Sequence, residues 1–561
     1  MISTPRSTPG DSLAPASPDR PGHPEVSSRR AEPSAGDLPA AGVVALAALL
    51  VGMLAAATYR SGGFYPEVGL GVAVLSVPLI VLGLRYGDDR SGLRVSLSVG
   101  GLATWWLVRC LTADAPKTFL PFGASLLGFL AAFLVTRALD RPGRLRLTQT
   151  LVALGAGSAA LGLGAVATRW TALATVRTGS WRVAATLGYA NGAGLLFGIA
   201  LLLALGLDER RRTTGVAVWL CLAGLLATQS LVAIVAVAVA AAFVPRSRWL
   251  ALHRPLVAGL VVGVAAVSTS TDGPTRAWTL LPILAVVGWA SLSPTAAPEG
   301  PRRRTGRLAV GVVALAAVVA LGLAVRAPGH HLFSAQSDRL GIGWQATNQQ
   351  WRTSRVTGLG PHGVANLHGP VGDYDNYLGN EYLQVGLDSG LIGLALLAAS
   401  ALAVGLAVRR RDVATSCATA GLVAFAAGGA LDYGWHLPAL ALAGGMSAAL
   451  ASGLVGAPVF TRRPGLAAPA APAKQATPAT TGRRAGRRAP WIVAAAVLAL
   501  SLGIVGLVTR PTGHDSQAIG TAPSPEAGAP ARAERAMAAS EVIAQGPDLT
   551  DPFVVHEVDR Y

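Results

Sequence analysis

Arginines at Arg169, Arg177, Arg182, Arg276, Arg339, Arg352 and Arg355 stand in polar connections between apolar runs, and the longest polar stretch closes on Asn380-Glu381. A planar guanidinium grips phosphate oxygens two at a time. A carboxylate or imidazole within reach of a hydroxyl can take its proton, and among the several carboxylates and four histidines of the long stretch Glu381, His362 and His368 are the candidates, with the amide of Asn380 placed to orient a hydroxyl. The chemistry this combination allows is displacement at a diphosphate. The arginines would neutralise the bound diphosphate and, more importantly, the charge that grows on it as it leaves.

The elements that must position these residues are membrane helices. Of 561 residues, 52% are hydrophobic and only 13% charged, against about 25% charged in an ordinary soluble domain. Apolar runs that reach or approach the roughly twenty residues needed to cross a hydrocarbon core are centred near 48, 76, 102, 128, 158, 196, 221, 237, 262, 285, 316, 398, 422, 446 and 499. The expected fold is therefore all-α, a polytopic bundle of about 14–15 transmembrane helices. Thr228-Gln229-Ser230 must then form a tight turn between two short spans. With residues 1–36 as a disordered cytoplasmic tail, alternate connections collect the arginine clusters, among them Arg137/Arg141/Arg144/Arg146 and Arg409/Arg410/Arg411, as the positive-inside rule requires. On that orientation the loop 327–388 is extracytoplasmic, and Arg169, Arg177, Arg182, Arg276, Arg339, Arg352 and Arg355 lie on the translocated side.

The other divisions follow from composition. A polytopic domain spans 37–456, a basic Pro/Ala linker 457–488, a final helix 489–509 and a flexible extracytoplasmic tail 510–561. The formal charge of +17 is distributed in short clusters between spans, which answers to a membrane partner and not to nucleic acid. Cys110, Cys221 and Cys417 lie in apolar runs without metal or disulfide spacing. No acidic pair suits a divalent cation, so neither metal nor cofactor is expected.

Two stretches carry a family resemblance. They are Arg182-Val183-Ala184-Ala185-Thr186-Leu187-Gly188-Tyr189-Ala190-Asn191-Gly192-Ala193-Gly194 and the loop end Gly379-Asn380-Glu381 through Gly390-Leu391-Ile392-Gly393, joined by Arg339 and the turn Gly358-Leu359-Gly360. Over residues 150–450 the chain resembles the O-antigen ligase and polymerase superfamily of bacterial envelope glycosyltransferases. The family's loop motif is similar to His, then Asn, Ser or Gln, nine residues, then Gly-x-x-Gly. Asn380, Gly390 and Gly393 match that spacing, whereas Gly379 stands where the family has His and Ser230-Leu231 where relatives often read Ser-Arg-Gly.

The resemblance implies a GT-C-like fold and an inverting, metal-free transfer from a polyprenyl-diphosphate-linked saccharide to a glycan, lipid or protein acceptor at the outer face of the plasma membrane. Arg182 and Arg339 would hold the diphosphate, helped by Arg276, Arg177 and Arg355. Glu381, His362 or His368 would activate the acceptor and Asn380 would position it. Two other readings fit a polytopic chain: a transporter or flippase for lipid-linked glycans, and a transferase using polyprenyl-phosphate sugars. The plain alternative for the motif itself is helix entry, with Asp388 and Ser389 as N-terminal caps. Gly194 and Gly198 read as helix packing. Gly358-Leu359-Gly360-Pro361-His362-Gly363 matches a dinucleotide fingerprint in the wrong context, since no strand precedes it and Pro361 favours a turn.

Overall fold

The computed structural model describes residues 40–270, 354–361 and 380–453, apart from 64, 87–89, 178, 209–211, 269 and 410–411. These residues belong to one compact unit, Pro39–Tyr561. Hydrocarbon offers no water to a backbone N–H or C=O, so apolar runs close their hydrogen bonds internally as helices. The helices are α1 (Ala40–Tyr59), α2 (Pro66–Tyr86), α3 (Arg90–Thr112), α4 (Phe119–Ala138), α5 (Arg141–Thr168), α6 (Ala190–Leu205), α7 (Arg212–Ala227), α8 (Leu231–Ala241), α9 (Arg246–Ala251), α10 (His253–Ser268), α11 (Glu381–Ala407), α12 (Val413–Leu431) and α13 (Pro438–Ala451). Expected centres at 48, 76, 102, 128, 158, 196, 221, 237, 262, 398, 422 and 446 each fall inside one of them. Those at 285, 316 and 499 lie outside the described residues, as do the N-terminal tail, the 457–488 linker and the C-terminal tail.

Among the described residues six helices, α2 to α5, α11 and α12, are long and apolar enough to cross a membrane. Others are shorter than the sequence suggests. The pair expected near 221 and 237 forms α7 of 16 residues and α8 of 11 residues, because the turn Thr228-Gln229-Ser230 ends one and Ser230, accepting from Ala233 N–H at 3.2 Å, caps the next. At about 1.5 Å per residue α8 is well short of a 30 Å core.

Helix α6 lies at the centre. All of its residues except Asn191 are buried, and it packs against α5, α7, α8, α12 and α13. A Cβ at Gly194 would sit 2.8 Å from both the Ala233 Cβ and the Thr228 Oγ1, and Gly198 faces Val237, so these glycines serve close packing against α8.

Successive connections alternate between two ends of the bundle. At one end Arg137 Nη1 donates to Ser452 Oγ at 2.6 Å and Arg144 Nε to Leu139 O at 2.8 Å, among exposed Arg85, Arg94, Arg141 and Arg146. The opposite end carries a feature an all-α expectation does not contain. Strands β1 (Ala174–Arg177) and β2 (Ser180–Val183) form an antiparallel hairpin with Ala174 opposite Val183 and Arg177 opposite Ser180. Two residues connect them, and Gly179 supplies the positive φ of 74° that such a turn demands. Trp181 N–H donates to Ser270 O at 2.8 Å, and Gln229 Nε2 to Trp181 O at 3.0 Å. These bonds tie the hairpin to the 228–230 turn and to the end of α10.

At the same end, α11 is discontinuous. Gly390 takes φ 66°, ψ −162° in mid-helix, which frees backbone groups that residues 354–361 then satisfy. Leu359 N–H donates to Leu387 O (2.8 Å) and Gly360 N–H to Asp388 O (3.0 Å), while Leu391 N–H donates to Arg355 O (2.9 Å) and Ile392 N–H to Val356 O (3.3 Å). Leu359 and Leu383 both pack on Leu387. The helix therefore starts at Asn380 and breaks at Gly390; Asp388 and Ser389 do not cap its start, and the Gly-Leu-Gly turn and the Gly-x-x-Gly motif form a single wedge-and-break unit.

A Cβ at Gly358, whose φ is 73°, would lie 2.5 Å from Gly390 N, whereas one at Gly157 meets nothing within 4 Å. Gly358→Ala is expected to destabilise the protein by about 2–4 kcal/mol and lower its melting temperature in detergent by several degrees. Gly157→Ala should leave that temperature unchanged or raise it slightly.

Candidate active site at the hairpin end

Arg182 sits on β2 with its side chain turned into the bundle, about 9% exposed. Its Nε donates to Thr228 O at 2.9 Å and its Nη2 to Asn191 Oδ1 at 3.3 Å. Asn191 begins α6, and its Nδ2 donates to the Tyr189 hydroxyl at 3.0 Å. That hydroxyl donates in turn to Asp432 Oδ2 at 2.6 Å. A hydrogen-bonded run thus leads from a guanidinium through an amide and a phenol to a carboxyl group.

Asp432 follows the last residue of α12 and is 6% exposed. Burial pushes its carboxyl up to about 6, with a smaller push from Glu381; the hydrogen bonds from Tyr189, Tyr433 N–H and Asn191 oppose the shift. Burial and the neighbouring carboxyl push the Tyr189 phenol well above its ordinary value. The two tyrosine rings stack, Tyr189 on Tyr433 with centroids 5.1 Å apart. A buried carboxyl that titrates near neutrality beside a fixed phenol has the makings of a general base.

Asn380 is the N-cap of α11. Its Oδ1 accepts from Tyr382 N–H at 3.0 Å and Leu383 N–H at 3.1 Å, and its Nδ2 donates to Ala430 O at 2.8 Å. These bonds hold α11 against the end of α12. Glu381 is fully buried and does not sit at the water boundary where a helix-entry residue is expected. Its Oε1 accepts from Trp435 N–H at 2.7 Å and His436 N–H at 3.2 Å and lies 3.0 Å from His436 Nδ1. It therefore fixes the short 3-10 turn Gly434–His436 that follows Asp432. Glu381 anchors this turn and thereby positions Asp432.

Of the other residues singled out by the sequence, Arg355 is exposed on the 354–361 segment, and its carbonyl accepts from Leu391. Arg177 closes the hairpin opposite Ser180. Arg276, Arg339, His362, His368 and Gly379 lie outside the described residues. The structure brings Arg182, Asn380 and Glu381 to the hairpin end and adds Tyr189, Asp432 and His436, the last with little to recommend it in sequence. A signal existed for Asp432: it opens Asp-Tyr-Gly-Trp-His, a polar connection between two apolar runs on the side that holds Arg182. The link to Tyr189, 243 residues earlier, has no sequence signature.

Comparison with protein-family models and with curated proteins returns no match to this chain.

Removing the Glu381 carboxylate strands the N–H groups of Trp435 and His436 in a dry interior. Glu381→Ala is expected to destabilise the fold by about 2–4 kcal/mol, while Glu381→Gln, which keeps one acceptor oxygen, costs less. Comparing the melting temperatures of the two variants checks the anchoring role.

Proposed function

We propose that this chain is an integral-membrane glycosyltransferase acting on a polyprenyl-diphosphate-linked saccharide. The observation that carries the reading is the run Arg182–Asn191–Tyr189–Asp432, which joins a guanidinium, a group suited to phosphate, to a carboxyl titrating near 6 at one end of an apolar bundle. The resemblance to O-antigen ligases and polymerases supports it from the sequence side. Under the positive-inside rule, the end bearing Arg137 and Arg144 faces the cytoplasm and the hairpin end faces outward, at the plasma membrane.

In this reading Arg182, with Arg339 and Arg276 from outside the described residues, holds the diphosphate and balances the charge it gains on leaving. Asp432, ionised at neutral pH, accepts the proton of the acceptor hydroxyl as that oxygen bonds to the anomeric carbon. The bond between that carbon and the phosphate oxygen breaks, and the electron pair leaves with the lipid diphosphate. Tyr189 and Glu381 position the base. The acceptor is an envelope glycan, lipid or protein, and the product a ligated or lengthened saccharide. A second reading, transport of the lipid-linked glycan, draws support from the broken α11, a feature of transporter sites.

Purified protein in lipid vesicles, supplied with a lipid-linked saccharide and an acceptor, separates the two readings. Transfer consumes the donor, whereas a transporter leaves it intact. Arg182→Ala and Asp432→Asn should each lower transfer at least about a hundredfold at unchanged protein level; normal transfer in both variants would sink the assignment. The wild-type rate should rise with pH through about 6, as Asp432 loses its proton, and then level off. Asp432→Asn should abolish that limb of the profile.

A further inference from the structure

Beneath the candidate active site, the first segment of α11 carries a second polar group that the transfer reaction does not use. Asp388 is 2% exposed and sits two residues before the break at Gly390. Its Oδ2 accepts from Gln384 Nε2 at 2.6 Å, and its Oδ1 has no hydrogen-bond partner among the described residues. Among the described residues, the titratable groups near enough to act on it are Arg109 and Cys110 from α3 and, on its own helix, Glu381. On the wedge, the charged residue within the described stretch, Arg355, is exposed.

The disposition of Arg109 is informative. A carboxylate in a dry interior draws a nearby guanidinium into direct, often bidentate contact. Here Arg109 Nη2 donates instead to the carbonyl of Gly358 at 2.9 Å and Nη1 to Thr112 Oγ1 at 3.0 Å, and its Nε is buried with no hydrogen-bond partner among the described residues. Among the described residues Arg109 thus bonds a neutral carbonyl and not Asp388, the arrangement expected where a buried carboxyl carries its proton. The carbonyl it chooses belongs to the wedge that completes the broken helix.

We propose that Asp388 is an intramembrane proton-binding site, occupied at neutral pH, and that losing the proton draws Arg109 from Gly358 to Asp388 and loosens the 354–361 wedge. The ligand is a proton, and the site exists whether the hairpin end performs transfer or transport. A protonated Asp388 leaves Arg109 committed to the wedge; an ionised Asp388 competes for it, so exposure of the wedge increases with pH.

The test uses the full chain in lipid vesicles. In infrared difference spectra at pH 7 between wild type and Asp388→Asn, the variant is expected to lose a protonated-carboxyl carbonyl band; loss of a carboxylate band instead overturns the proposal. A hydrophobic carbodiimide, which reacts with buried protonated carboxyls, keeps the test decisive should the variant fail to fold. Mass spectrometry of the wild type should find Asp388 modified at pH 6.5, with labelling falling about tenfold per pH unit once the group titrates. An unmodified Asp388 at every pH rejects the site. Hydrogen exchange over residues 354–361 reads the coupling. Wild type should exchange faster than Asp388→Asn at pH 9 and equally at pH 6.5, and equal exchange at both removes the link to the wedge.

Discussion

Inside hydrocarbon a backbone N–H or C=O that lacks a partner costs several kcal/mol, and among the described residues that constraint bears hard at Gly390. Breaking α11 there leaves donors and acceptors on both sides of the gap, and the main chain of residues 354–361 meets them with paired hydrogen bonds in both directions. Because only backbone can come this close, both contact points are glycine, each at positive φ. The remaining contacts of the region accommodate this fit. Trp105 Nε1 reaches the Ser389 carbonyl at 3.0 Å, Arg109 holds Gly358, and α3 lies along α11.

A second constraint, the need to satisfy buried carboxyls, shapes the hairpin end. Glu381 is enclosed by the turn whose N–H groups it accepts, and Asp432 by a phenol, a backbone N–H and an amide. The two differ in what they can do. Glu381 has its Oε1 shared among three donors and acts as an anchor. Asp432 stands beside half-buried aromatic rings of Tyr189 and Tyr433, in surroundings where it can exchange a proton. Backbone strain gathers here too: Asp114, Arg169, Ala185 and Gln229 all take left-handed φ in connections at this end, as happens where tertiary contacts dictate the conformation.

The helices were legible because apolar length is a one-dimensional signal, and the alternation of arginine clusters gave the order of the connections. The hairpin was not. Four residues per strand are too few to separate a period of two from chance inside a polar connection, though Gly179 and the run Ala-Thr-Val-Arg mark it in hindsight. In sequence the break in α11 is also compatible with a helix start, for a physical reason. Polar residues followed by glycine signal either event, and only the cap bonds of Asn380 show that the helix had already begun. Arg182 and Asn380 could be singled out from a local pattern, while the partnership of Glu381 with His436 spans 55 residues and left no local trace.

The burial of α6 on every side bears on the order in which the protein is made. The helices that enclose it include α12 and α13, and the phenol at its head is bonded to a carboxyl 243 residues further along the chain. Until those later segments are made, α6 lacks two of the helices it packs against and Tyr189 lacks its acid. The core of the protein is thus closed from its C-terminal side. A nascent chain halted before α12 would hold its arginine and its phenol but no carboxyl to complete the line, so roughly the first three-quarters of the molecule waits, chemically incomplete, for α12 and α13.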